Sequence, residues 1–147
     1  MTENERLLLE ALTRTCGLNT REDVETYVAT ALALPESSDP ECLRQMLLCL
    51  RDVDAGEVQY ELLEACERFP TDVYVRVVAE QAEAIHGSAP QWFELAFHSL
   101  LNSSECVDAL KSQMNSLAPE VRGFIIETVK EYADSYPKYQ GVLNLLG

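Results

Sequence analysis

The sequence predicts an all-α fold, an irregular HEAT-like stack of antiparallel helix pairs with about eight or nine helices. Three observations lead there. Apolar residues recur at intervals of three and four from end to end, and Pro, Asx and Ser/Thr residues punctuate them where helices start and stop. No segment keeps the period of two that a strand needs; even the β-branched run Val73 to Val78 continues into Ala79, Ala82 and Ile85 at helical spacing.

Thr2 with Glu5 is a capping-box pattern that opens a first helix running to about Cys16, where Gly17 is placed as the C-terminal cap. Thr20 with Asp23 opens the second, which Pro35 ends. Asp39-Pro40-Glu41 sets a capping side chain before a proline at the first helical position, and Leu43, Met46, Leu47 and Leu50 carry the third helix to about Asp52. Asp54 then caps a fourth, bearing Val58, Leu62, Ala65 and Phe69 and closed by Pro70. Thr71-Asp72 starts the fifth, with Val75, Val78, Ala79, Ala82 and Ile85 before a stop at Gly87. Ser88-Ala89-Pro90 starts the sixth, with Trp92, Phe93, Leu95, Ala96 and Leu100, and Asn102-Ser103-Ser104 breaks the chain before a seventh with Val107, Leu110 and Met114. Ala118-Pro119-Glu120 launches the eighth, with Val121, Phe124, Ile125, Val129 and Tyr132, and Pro137 precedes a short last helix with Leu143, Leu145 and Leu146. The Ser-to-Pro openings before Pro40, Pro90 and Pro119 resemble each other, but spacings of roughly 50 and then 30 residues make the stack irregular rather than a clean repeat.

Composition bounds the function. At 147 residues with 47% hydrophobic side chains the chain is expected to form one domain, 1–147, and a chain of roughly 150 residues buries about 70% of its unfolded surface. Asp and Glu number 25 against 11 Lys and Arg, a net charge of −14. That potential draws in basic partners and repels nucleic acid and anionic membranes, so neither is expected to bind. The acidic start Met1 to Arg6 and the short Leu7-Leu8-Leu9 make neither a secretory signal nor a membrane span, and the expected location is the cytoplasm. Five scattered cysteines (Cys16, Cys42, Cys49, Cys66, Cys106) with no C-x-x-C pair argue for buried, reduced thiols instead of disulfides or zinc.

The charge is concentrated. On a continuous helix Asp54, Glu57, Glu61 and Glu64 fall within one narrow stripe, with Asp52 just before it and Tyr60 in its midst. Glu120, Glu127, Glu131 and Asp134 share a face of the eighth helix, relieved only in part by Lys130 and Lys138. Like charges at i,i+4 destabilise a helix, so stripes without interleaved Lys suggest a use outside folding. Amphipathic helices also need a polar outer face and Glu is a good helix former, so a plain solvated surface stands beside the docking-face reading. Tyr60, off the apolar face of its helix, suits an exposed interface anchor or a tyrosine packed on a neighbouring helix. Trp92 and Phe93 are adjacent and point different ways, so one is expected in the core and the other partly exposed.

Catalytic patterns are missing. His86 and His98 sit in no metal-ligand spacing, no G-x-S-x-G, P-loop or G-x-G-x-x-G occurs, and the glycines read as isolated helix caps. The carboxylates read as surface acids, with no sign of a pair whose pKa values are driven apart. Neither a metal nor any other cofactor is expected, no enzyme activity is expected, and no motif fixes an oligomeric state.

Phe69-Pro70, Pro90-x-Trp92 and Leu100-Leu101-Asn102-Ser103, within a small acidic helical chain, resemble the immunity proteins of bacterial contact-dependent inhibition and polymorphic toxin systems, above all the helical immunity protein 30 family. The likeness spans roughly residues 40 to 145 and leaves the first two helices unmatched. It implies a non-enzymatic cytoplasmic protein that neutralises the toxin domain of a cognate effector, a basic domain such as a nuclease. It supplies no catalytic or binding residues to carry over. The alternative is a HEAT-like adaptor or scaffold module that holds a basic protein or peptide.

Overall fold

The computed structural model describes residues 1–34, 37–53 and 56–147. Among them lie nine α-helices and no strand: α1 (Glu3–Thr15), α2 (Arg21–Ala33), α3 (Pro40–Leu47), α4 (Gln59–Glu67), α5 (Thr71–Ser88), α6 (Pro90–Leu101), α7 (Ser104–Gln113), α8 (Pro119–Ser135) and α9 (Gln140–Leu146). Short 3₁₀ turns occupy Gly56–Val58, Met114–Ser116 and Pro137–Tyr139. The all-α expectation holds. The odd-numbered helices pack in succession, α1 on α3, α3 on α5, α5 on α7 and α7 on α9, while α2 packs on α4. That succession is consistent with a HEAT-like stack.

Side-chain caps set the starts of four helices, α1, α2, α3 and α7. Thr2 accepts from the Glu5 N–H at 3.1 Å while Glu5 accepts from the Thr2 N–H at 2.8 Å, a complete capping box. Thr20, Asp39 and Ser103 cap α2, α3 and α7 with single bonds, accepting from the N–H groups of Asp23, Glu41 and Cys106. Pro35 and Asp54, expected to end the second helix and to cap the fourth, lie outside the described residues.

The glycines behave differently from expectation. At the end of α1 the left-handed residue is Leu18 (φ 52°), not Gly17, and no described glycine has positive φ. The buried Leu18 side chain joins the core and its N–H donates to the Thr15 carbonyl at 2.9 Å, which offsets the backbone strain. Helix α5 continues through Gly87, and Gly123 and Gly141 lie inside α8 and α9. The third helix also stops earlier than expected, at Leu47 instead of near Asp52.

One buried apolar cluster runs from Leu9 to Tyr139. Its axis is α5, which buries Tyr74, Val75, Val77, Val78, Ala79, Ala82 and Ile85 against α3, α4, α6, α7 and α8. The packed side takes the β-branched run, Ala79 and Ala82, while Asp72, Glu80 and Glu83 stay exposed on the other side. All five cysteines are free, four buried and Cys106 half-buried, and burial pushes the Cys42 and Cys49 thiols up to about 11. They pack as small hydrophobes. Trp92 and Phe93 are both buried, against the expectation that one would be partly exposed, because Tyr60 packs on Trp92 while His86, Phe97 and Phe124 surround Phe93.

One polar contact positions the surface described next. Gln59, the first residue of α4, is fully buried, and its amide accepts from the Arg51 N–H at 2.5 Å and donates to the Arg51 carbonyl. The following residue, Asp52, accepts from the Gln91 N–H at 3.3 Å. Its carboxylate thereby serves the start of α6, where the cap position is Ala89, whose methyl group cannot accept a hydrogen bond.

Replacing Gln59 by Leu leaves both backbone groups of Arg51 unpaired and is expected to cost about 2 to 4 kcal/mol. Urea unfolding measures this as a lower midpoint at unchanged slope, and an unchanged midpoint contradicts the role given to Gln59. A second expectation concerns acid. The Arg44 guanidinium, then the Gln45 amide, hold the Glu41 carboxyl down at about 2 from an ordinary 4.5. Because folding lowers this pKa, the contribution to stability is full above about pH 4.5 and is lost as the pH falls toward 2. Glu41→Gln should flatten the acid limb of the stability curve in that window; an acid limb identical to the wild type rejects the assignment.

Candidate functional site

Helix α6 turns Trp92, Phe93, Ala96, Phe97, Leu100 and Leu101 inward. Helical spacing then leaves Gln91, Glu94, Leu95 and the half-buried His98 along the outer face. Three adjoining clefts flank that face. The first, about 550 Å³, is lined by Asp52, Val53, Glu57, Tyr60, Gln91, Trp92 and Leu95. The second, about 440 Å³, shares Gln91 and Leu95 with it and adds Glu94, His98, Asn102, Tyr136, Lys138 and Tyr139. The third, about 610 Å³, lies between α5, α6 and α8; it shares Gln91, Glu94 and Tyr136 with the second and contains Glu127, Glu131 and Tyr132.

The face is both apolar and acidic. Val53 (37% exposed), Tyr60 (50%), Leu95 (39%) and Tyr136 (48%) all line the first two clefts. The Tyr60 ring meets Trp92 edge-on at 4.8 Å, so an exposed tyrosine is braced on a buried indole. At the far end the His98 ring stacks on Tyr132 at 4.1 Å and its Nδ1 is hydrogen-bonded to the Tyr139 hydroxyl at 2.7 Å. Asn102 donates to that same hydroxyl at 3.1 Å. The C-terminal tyrosines Tyr132, Tyr136 and Tyr139 therefore assemble on α6 around His98. Burial, and next the Glu94 charge, raise the Tyr132 hydroxyl pKa above the ordinary range, so it stays protonated.

The clefts bring together part of the expected acidic set. Asp52, Glu57 and Tyr60 lie on one flank of α6, Glu127 and Glu131 on the other. The α4 stripe is interrupted: Glu57 belongs to the 3₁₀ turn, α4 begins only at Gln59, and Asp54 is outside the described residues. Glu61 and Glu64 lie on α4 itself, Glu61 half-buried and Glu64 exposed, and Glu64 adds to the burial that raises the Glu67 carboxyl pKa. The α8 stripe is intact, with Glu120, Glu127, Glu131 and Asp134 all exposed on one helix. Glu120 and Glu127 border a further cleft toward Leu146 and Gly147, away from α6.

Intramolecular cations leave most of these acids alone. Glu127 pairs with Lys130 at 3.3 Å, whereas Glu57, Glu61, Glu64, Glu120, Glu131 and Asp134 make no ion pair among the described residues. Arg6, Arg21, Arg44 and Arg76 are taken up by Glu3, Glu25, Glu41 and Glu80 on their own helices. Among the described residues no group of three or more His, Cys, Asp or Glu side chains is arranged to hold a metal ion, and no helix is long and apolar enough to cross a membrane.

Sequence reasoning did not single out Val53, Gln91, Glu94, Leu95 or His98 for this surface. Leu95 read as part of the apolar face of the sixth helix. The one local signal was the spacing of Gln91, Glu94 and His98, which puts three polar residues on one side of an otherwise apolar helix.

No curated protein and no solved structure matches the chain. The family model for immunity protein 30 matches residues 14–110. The match includes α2, which the sequence resemblance left out, and stops within α7, short of α8 and α9. Asp52, Tyr60 and the whole of α6 lie inside it. Covering more than half of the sequence, it establishes that the chain belongs to the immunity protein 30 family.

Proposed function

We propose that this immunity protein binds the toxin domain of a cognate bacterial effector in the cytoplasm and neutralises it without catalysis, using the α6 face and the acids beside it. The observation that carries this reading is the first cleft, where Tyr60 and Leu95 expose apolar surface beside the carboxylate of Glu57, which makes no ion pair among the described residues. An aromatic braced on a buried neighbour loses little freedom on binding, as an interface anchor requires. The −14 charge supplies the complement to a basic toxin such as a nuclease, whose substrate cleft is positive because it holds phosphates. Charge of this kind acts first on rate: steered association reaches about 10⁸ to 10⁹ M⁻¹s⁻¹ at low salt. Speed matters for a protein that must intercept a delivered toxin before it acts.

Within this reading the α4 side, with Glu57, Tyr60, Glu61 and Glu64, is the principal contact and the α8 stripe the second. Asp52 has a share in both folding and binding, since its carboxylate already caps α6. Substitutions at Asp52 therefore do not separate the two roles.

Two outcomes test the placement, with the product of the adjacent toxin gene as ligand. Tyr60→Ala should raise the dissociation constant about tenfold to a hundredfold while the helical circular dichroism is kept. Changing Glu57, Glu61 and Glu64 together to Lys should abolish protection of cells expressing the toxin, and should reduce the salt dependence of association. Protection retained by the triple variant removes the interface from α4.

A further inference from the structure

We propose that the cleft between α6 and α8 receives one arginine side chain of the bound toxin, its guanidinium held against aromatic rings and met by carboxylates. The toxin as source of that arginine rests on the function proposed above; the chemistry of the cleft does not.

The walls are aromatic and continuous. Phe124 lies 6.0 Å from Phe93, and the His86 ring stands edge-on to both, at 5.4 Å from Phe93 and 5.8 Å from Phe124. Tyr132 extends the wall toward α6. Glu94 comes from α6, and Glu127 and Glu131 from α8. No lysine or arginine lines the cleft among the described residues. Glu131 makes no ion pair among them, Glu127 shares its charge with the exposed Lys130, and Glu94 stands 3.6 Å from the His98 Nε2.

This combination selects its occupant. An anion is repelled, and an apolar side chain strips water from three carboxylates without replacing it. A hydrated ammonium is drawn by the charge but gains little from ring faces. A guanidinium is planar and weakly hydrated, stacks on aromatic rings and donates in pairs to carboxylates. The volume of about 610 Å³ accommodates a whole side chain with its alkyl stem against the half-buried rings of Phe124 and Tyr132. The site lies beside the Tyr60 cleft across Gln91 and Glu94, so one partner surface reaches both.

The test uses the full chain and N-acetyl-arginine amide as probe, with N-acetyl-lysine amide and sodium chloride at equal ionic strength for comparison. The ring signals of Phe124 and Tyr132 should shift saturably in the millimolar range with the arginine compound, and the lysine compound should bind about threefold or more weakly. Glu131→Gln should weaken the arginine probe about fivefold, and Glu94→Gln with Glu131→Gln about tenfold or more, with unchanged circular dichroism. Shifts that do not saturate, that sodium chloride reproduces, or that survive in both variants overturn the inference. Toxin affinity is measured alongside. If the probe binds the cleft but Glu131→Gln leaves toxin affinity at the wild-type value, the toxin arginine is rejected; if the wild type binds no adjacent-gene toxin at all, the proposed function fails while the cation cleft stands.

Discussion

The surface around α6 hangs on one buried amide. Residues 48–53, after α3, lie in no helix, so the backbone groups of Arg51 need partners from outside any helix ladder. Gln59 supplies both a donor and an acceptor from the first turn of α4. Fixing Arg51 fixes Asp52, and Asp52 in turn reaches the exposed N–H at the start of α6. Apolar burial holds these helices together but is non-directional and tolerates sliding. The paired hydrogen bonds set the register among α3, α4 and α6, and with it the distance between Tyr60 and Trp92.

The molecule's acids are organised by which cations they meet. Ion pairs form mostly within a helix, at i,i+3 or i,i+4, where an arginine needs little reorganisation to reach its partner. Such exposed pairs add little stability. Each takes up one acid of α1, α2, α3 or α5, while Glu61 and Glu64 of α4 and Glu120, Glu131 and Asp134 of α8 make no ion pair among the described residues. The resulting repulsion is tolerable because α5 gathers so much apolar area around one axis. A fold anchored by that core does not need its surface charges to attract one another.

Sequence reading recovered what is local and lost what is distant. The capping box at Thr2 and Glu5 and the caps at Thr20 and Asp39 are encoded within three residues, and helical periodicity follows from the neighbours of each residue, so the helix series was legible. Gly17 shows how far local rules reach: a glycine after a helix usually takes the left-handed turn, yet the core recruits Leu18 and leaves the glycine in an ordinary conformation. The α4 stripe was legible in composition but not in geometry, since the 3₁₀ turn ahead of Gln59 breaks the 100° progression that aligned Asp54 and Glu57 with Glu61 and Glu64. The α6 face was hardly legible. Asp52 and Gln91 are distant in sequence, and Leu95 is indistinguishable from a core leucine until the shape of its neighbours is known.

Whether a surface of this kind binds tightly depends on joining two effects with different physics. Exposed carboxylates work over distance: they steer an approaching cationic partner and penalise partners of the wrong sign, yet water screens them once contact is made. Exposed aromatic and aliphatic groups work only at contact, where burying Tyr60, Leu95 and Tyr136 removes apolar area from water and slows departure. On a convex helix the two sets would sit apart, with acids outward and apolar groups hidden. The concave flanks of α6 put them in the same clefts, where low-dielectric walls concentrate the field of Glu57 on one side and of Glu131 on the other. For the proposed toxin capture, the shape of the stack therefore matters as much as its charge: the same carboxylates spread over a flat surface would attract a basic domain without holding it.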